Sequence, residues 1–228
     1  LSPFPTACHL LLLPTSCVGC CKTGTKHEVS SQMATCFGCI RRCFNAGGFT
    51  ASSSQGNRLP TVVLDMLHMG QDVVIVKNGQ RICGSGAALA NAPLVQNKSY
   101  FEVKVQQAGL WGVGVATQKT DLNRVPLGQD LESCVLTSEG TVVCNKEVLH
   151  KLQQTVQEGD VIGITYDHLE LNFYLNGTDL HVPVTGVKGE VFPVLYVDDG
   201  AILDAVFSSF FHTPPLGFEQ IMVEQSLL

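Results

Sequence analysis

Positive charge is the first thing this chain has little of. Its 228 residues hold 14 Lys and Arg against 20 Asp and Glu, a net of −6. Residues 1–59 hold Lys22, Lys26, Arg41, Arg42 and Arg58 against Glu28, a net of +4, which leaves −10 on residues 60–228. A partner built on a phosphate backbone needs clustered Lys and Arg, so this balance excludes nucleic acid. Long apolar runs are missing as well, and nothing approaches the roughly 20 residues of a membrane-spanning helix. The best signal-peptide stretch, residues 10–13, is short, ends at Pro14 and has no basic residue before it. Cysteine is scarce after residue 44, where only Cys83, Cys134 and Cys144 occur, each in a strand-like run where a small core residue fits. That is not the framework of a small secreted domain. The expectation is an intracellular, cytoplasmic protein whose sequons at Asn97 and Asn176 are turns without glycan.

Catalytic motifs are absent too. The seven His residues are scattered, with His68, His168, His181 and His212 near turns and beside no nucleophile motif. Gly84-Ser85-Gly86 precedes no helix, so it cannot be a phosphate loop. Adjacent Asp198 and Asp199 read as a solvated turn more readily than as metal ligands. No enzyme and no cofactor is expected.

What the chain does have is alternation. Residues 161–166 (V-I-G-I-T-Y) read as a strand, Asp167-His168 breaks it, and residues 169–175 (L-E-L-N-F-Y-L) read as its return. Leu169, Leu171, Phe173 and Leu175 share one face, at the period of two of a half-buried strand. Asn176-Gly177 then turns the chain, since both central residues of a tight hairpin turn need positive φ. The same pattern predicts strands over 61–67, 72–77, 80–83, 99–107, 110–117, 133–137, 141–145, 190–197 and 201–208. Gly84-Ser85-Gly86 should end the strand over 80–83, and 146–158 reads as a connection. In 99–107, Phe101, Val103 and Val105 face inward and Glu102, Lys104 and Gln106 outward. In 110–117, Trp111, Val113 and Val115 share the core face; Gly112, Gly114 and Ala116 form the other, so a bulky side chain or another backbone should press close there. Pro193 suggests an edge strand or a bulge. Residues 118–131 read as a loop and 211–221 as packed irregular chain. The whole predicts an antiparallel β-sandwich over residues 60–222 and a short tail over 223–228.

Residues 1–59 have no sustained period and read as a disordered, cysteine-rich extension, with 45–59 as a linker. The chain starts at Leu1 and the first methionine is Met33, which suggests that 1–32 come from an upstream reading of the transcript and that a common form begins at Met33. Two chemistries compete for the cysteines. Cys17, Cys20, Cys36 and Cys39 have the spacing of a four-thiolate zinc site, which would make this a metal-binding or structural protein; the segment lacks the apolar residues that accompany such ribbons. Cys36, Cys39 and Cys43 beside Phe37, Ile40, Phe44, Arg41 and Arg42 suit S-palmitoylation and association with a membrane surface, while Ala34 excludes myristoylation.

Several separated blocks resemble the SPRY domain family: Y-F-E-V-K-V at 100–105, W-G-V-G-V-A at 111–116, the stretch from G-D-V-I-G-I to F-Y-L-N-G at 159–177, V-F-P-V-L-Y-V at 191–197 and T-P-P-L-G-F at 213–218. The resemblance implies a bent, concanavalin-like β-sandwich that binds a protein or peptide through loops at one edge, with no catalytic residues. Members often serve as substrate readers of ubiquitin ligases; this chain has no RING-type Cys/His array, so such a role would need a separate subunit. Contact candidates are turn-adjacent residues: Asp65, His68 and Met69; Tyr166, Asp167 and His168; and Asp198 and Asp199. The acidic balance predicts a basic or neutral peptide.

Overall fold

The computed structural model describes residues 61–223. Fifteen strands and no helix occur among them. They are β1 (Leu64–Met69), β2 (Asp72–Val76), β3 (Arg81–Ala90), β4 (Ser99–Gln107), β5 (Leu110–Ala116), β6 (Ser133–Thr137), β7 (Thr141–Cys144) and β8 (Glu147–Lys151). Then come β9 (Val161–Tyr166), β10 (Glu170–Leu175), β11 (Thr178–Asp179), β12 (Val184–Thr185), β13 (Phe192–Asp198), β14 (Ile202–Val206) and β15 (Glu219–Gln220).

The strands make two layers joined by one strand. Sheet A runs β1-β3-β13-β5-β6-β7-β8, and sheet B runs β2-β3-β14-β4-β9-β10-β11. All these pairings are antiparallel; β15 alone lies parallel, against β4. β3 belongs to both layers. Its first half pairs with β2 and β14, with Ile82 opposite Ile75 and Leu203, and its second half pairs with β13 from Gly86 to Leu89. Gly84-Ser85-Gly86 therefore bends the strand between sheets and does not end it, as its composition suggested. Both glycines have positive φ, and a Cβ on Gly84 would collide with the Asp72 carbonyl.

Between the layers lies the main core, with Ile82, Phe101, Val103, Trp111, Val113, Leu136, Ile164, Phe173, Leu195 and Leu203 all buried. Each such side chain contributes roughly 1.5–3 kcal/mol by leaving water. Trp111 sits there as its strand face predicts. Cys134 and Cys144 are also in this core, directly opposite across β6 and β7 and joined as a disulfide, whereas Cys83 is partly exposed.

A second apolar cluster lies on the outer face of sheet A: Ala87, Leu89, Ala116, Leu127, Val135, Phe192, Val194 and Tyr196. The loop 117–132 folds over this face, closed by Thr117 N–H donating to the Glu132 carbonyl at 2.8 Å. Sheet A is thus buried on both faces near its centre, which explains why β13 is nearly all apolar.

Four local expectations change. β13 is central, between β3 and β5, although Pro193 suggested an edge; Pro193 is registered with Val115 of β5, and pairing with β3 begins only at Val194. The stretch 146–158 contains an edge strand, β8, which its mixed charges hid. Leu169 falls in the turn before β10 and is 79% exposed, while Leu171 and Phe173 are fully buried. Glu102 is fully buried, because the chain after β14 folds back over the outer face of sheet B. There its carboxylate accepts hydrogen bonds from the Tyr100 hydroxyl (2.9 Å) and from the backbone N–H of Phe211 (2.6 Å) and His212 (2.9 Å).

Candidate functional site

The turn residues singled out from sequence do not converge. Tyr166 lies opposite Ser99, the first residue of β4, whereas Asp199 abuts Gly109, just past the end of that strand. At about 3.3 Å per residue these positions are about 30 Å apart. Most of these residues are also occupied locally. Tyr166 is 2% exposed and packs in the inter-sheet core. The Asp167 carboxylate accepts from the N–H of Leu169 and of Glu170, and His168 Nε2 contacts the Gln96 carbonyl at 2.9 Å. Asp199 has positive φ in a turn closed by Ala201 N–H to the Asp198 carbonyl.

Asp65, His68 and Met69 lie on β1, whose pairing with β3 is broken by a bulge between Leu64 and Met69. Within it Asp65 accepts from the Leu67 N–H and pairs with His68 Nδ1 at 2.7 Å. Burial acts to raise the Asp65 pKa, but the His68 and Leu67 hydrogen bonds outweigh it and hold the carboxyl below its usual value. Met66 and Leu67, which were not among the candidates, are exposed in this bulge, as is His68.

A pocket lies elsewhere in the fold. On the outer face of sheet A, a pocket of about 170 Å³ opens at the rim of the loop 117–132. Leu110 of β5, Thr137 of β6, Val143 of β7 and Tyr196 of β13 line it, with Val148 of β8 at its edge. Pro126, Leu127 and Gln129 of the loop and Glu139 of the β6–β7 turn complete the wall. The strand residues come together because alternate positions on neighbouring strands point to one face.

Tyr196 is the unusual member. Its ring lies against Gly112, where a Cβ would collide with it. The residue is fully buried, yet its hydroxyl has no hydrogen-bond partner. Sheet B carries a matching arrangement on its own outer face, with Tyr100 laid over Gly163, but that hydroxyl donates to Glu102. Burial, and then the negative charge of Glu139, push the Tyr196 pKa well up, so the group is a neutral hydroxyl at physiological pH. A buried hydroxyl without a partner costs about 1–3 kcal/mol, so a ligand group that reaches it starts with that advantage. The small face of Gly112 and Gly114 was the sequence signal for this site; it announced a bulky neighbour without saying which residue.

The acylation candidates Cys36, Cys39 and Cys43, and the zinc candidates Cys17, Cys20, Cys36 and Cys39, lie outside the described residues, as does the extension read as disordered. Among the described residues no group of three or more His, Cys, Asp or Glu is placed to hold a metal ion. No helix among them is long and apolar enough to cross a membrane.

The fold is a bent two-layer antiparallel sandwich, with both faces of one sheet covered and a pocket at the rim of the covering loop. The SPRY domain matches residues 98–210, and the chain belongs to the SPRY domain family. It is 55% identical over 197 residues to SPRY domain-containing protein 7 of Homo sapiens, which spans 86% of this chain and 100% of that protein. The Gallus gallus protein of the same name is 55% identical over 196 residues, 85% of this chain and 98% of its own length. Among solved structures, the TRIM65 PSpry domain aligns with a TM-score of 0.51 at 14% identity, over 67% of this chain and 93% of that one. The SPRY domain of human HERC1 aligns with a TM-score of 0.52 at 16% identity, over 63% of this chain and 96% of that one. These two likenesses establish the fold. SPRY domains are in general protein-interaction modules.

Proposed function

We propose that this chain is a non-catalytic module that receives a protein or peptide on the outer face of sheet A, at the pocket over Tyr196. The observation that carries this reading is Tyr196, a residue of the pocket wall that is fully buried and whose hydroxyl has no hydrogen-bond partner. At about 170 Å³ the cavity is smaller than the roughly 300–1,000 Å³ of small-molecule sites, and it suits one side chain of a larger partner. The test is affinity capture by the full chain, by a variant in which Thr141, which also lines the pocket, is changed to the bulkier Arg (Thr141→Arg), and by variants of the turns. Loss of the partner with Thr141→Arg alone supports the proposal. Retention there, with loss on changing Asp65, His68 and Met69, or Asp167 and His168, or Asp198 and Asp199, moves the contact to those turns and refutes it.

Tethering is the second part of the proposal. Cys36, Cys39 and Cys43, with Arg41 and Arg42 between them, are proposed as S-acylation sites that hold an intracellular protein at a membrane surface. Stable anchoring takes two signals, and several acyl chains with basic residues would supply them. Its support is the side-chain chemistry of that stretch. Hydroxylamine-sensitive acylation that disappears in a triple Cys→Ser variant is the expected result; membrane fractionation unchanged by that variant overturns it.

A further inference from the structure

The pocket over Tyr196 has a definite polarity. Of the residues that line it, Glu139 is the single charged one, and it stands in the β6–β7 turn at the mouth. Leu110, Pro126, Leu127, Val143 and Val148 provide an apolar sleeve. The Tyr196 hydroxyl lies within the wall with a free lone pair and a free proton. Thr137 and Thr141, the remaining hydroxyls, satisfy each other at 2.7 Å. So the pocket offers a carboxylate, an unpartnered hydroxyl shut within its wall, and an apolar tube beside the Gln129 amide. An anionic side chain would meet Glu139, and an aliphatic one would leave the Tyr196 hydroxyl as unpaired as before.

A lysine or arginine side chain meets all three features. Its methylene stem lies along the apolar sleeve. Its cationic head donates to the Glu139 carboxylate and to the Tyr196 oxygen, as charge-assisted hydrogen bonds that are stronger than neutral ones. The surrounding charge agrees, since residues 60–228 carry a net of −10 and attract a basic segment at long range. Building on the proposed binding reading, we propose that this pocket is a receptor for one basic side chain of a partner protein, with Glu139 as the charge contact and Tyr196 as the second acceptor.

The contrast with Tyr100 gives the proposal a readout that a structural role would not produce. Tyr100 has Glu102, and its hydroxyl is part of the fold. Tyr196 has no such partner, so Tyr196→Phe removes an unsatisfied polar group and leaves the melting temperature unchanged or raises it. The same substitution should weaken the ligand.

The experiment is selection of random heptapeptides on the immobilised full chain, followed by affinity measurement on the selected peptides. The expected result is convergence on Lys or Arg at one position. Replacing that residue by norleucine or Gln, or changing Glu139→Gln, should weaken binding at least tenfold, and Tyr196→Phe at least threefold without loss of thermal stability. Affinity should also fall as salt rises. Peptides with no basic consensus, yet lost in the Thr141→Arg variant, would overturn the basic-side-chain proposal and leave the binding reading standing. Peptides indifferent to Glu139→Gln, Tyr196→Phe and Thr141→Arg would overturn both. Failure to select any peptide overturns the basic-side-chain proposal.

Discussion

Replacing Glu102 by Ala should loosen the chain that follows β14 before it weakens anything else. Glu102 is fully buried on the outer face of sheet B, where its two oxygens receive the Tyr100 hydroxyl and the N–H groups of Phe211 and His212. Alanine strips all three donors of their acceptor. An unsatisfied buried donor costs about 1–3 kcal/mol. Phe211 is 57% exposed, so water can reach part of this segment and satisfy some of the freed N–H groups. The desolvation of the carboxylate is also recovered. The net cost should be about 2–4 kcal/mol, a large share of the 5–15 kcal/mol that holds a typical domain together. Glu102→Gln keeps one acceptor oxygen but turns an NH2 toward an N–H, and should cost about half as much. Urea unfolding measures the totals, and amide hydrogen exchange at Phe211 and His212 locates them. A Glu102→Ala change below about 0.5 kcal/mol, or unaltered exchange at those two amides, would refute this account of what fastens the segment.

Trp111→Ala should cost about 3–5 kcal/mol in chemical denaturation because it empties the inter-sheet core, and Gly112→Ala about 1–3 kcal/mol because the new methyl collides with the Tyr196 ring. Leu169→Ser should fall within about 0.5 kcal/mol of the parent protein while Leu171→Ala costs about 2–5 kcal/mol, a pair that separates the turn residue from the strand residue by the same assay. Burial acts to raise the Asp204 pKa, but hydrogen bonds from Arg81 (2.5 Å) and Lys77 (2.9 Å) outweigh it and hold the carboxyl below its ordinary value. A carboxyl depressed in the folded state contributes stability above its unfolded pKa, and that contribution fades as pH falls through the folded value. An acid titration of unfolding free energy should therefore drop below about pH 4 in the parent protein and drop less in Asp204→Asn.

The sheets were legible because a half-buried strand writes its burial into alternate residues. The range of β4 follows the sequence pattern, and the core face of β5 and the small face opposite it follow from Trp111, Val113, Gly112 and Gly114. Where the chain is buried on both sides the pattern loses its meaning. Glu102 alternates as an outward residue, and outward is where the segment 208–218 lands. Pro193 reads as an edge signal, but the strand begins there and only one side of it is paired. Leu169 continues a period of two that the backbone has already left for a turn. The pocket was the least legible feature, because Leu110, Pro126, Thr137 and Tyr196 lie on four stretches that only the topology brings together. Turn-adjacent residues such as Asp167 and His168 drew attention for their chemistry, and that chemistry is spent on local hydrogen bonds.

The strand shared by both layers has a thermodynamic consequence. Because β3 supplies ladder partners to β13 on one side of its bend and to β14 on the other, neither layer retains its full hydrogen bonding if the other melts. Unfolding should then be a single cooperative transition, and amides in β9 should exchange through the same global opening as those in β5. A partner seated on sheet A stabilises the folded state by RT ln(1 + [L]/Kd), and a shared opening spreads that gain over the whole sandwich. Slow exchange in β9 and β10, on the layer that the partner never touches, would report how full the distant pocket is.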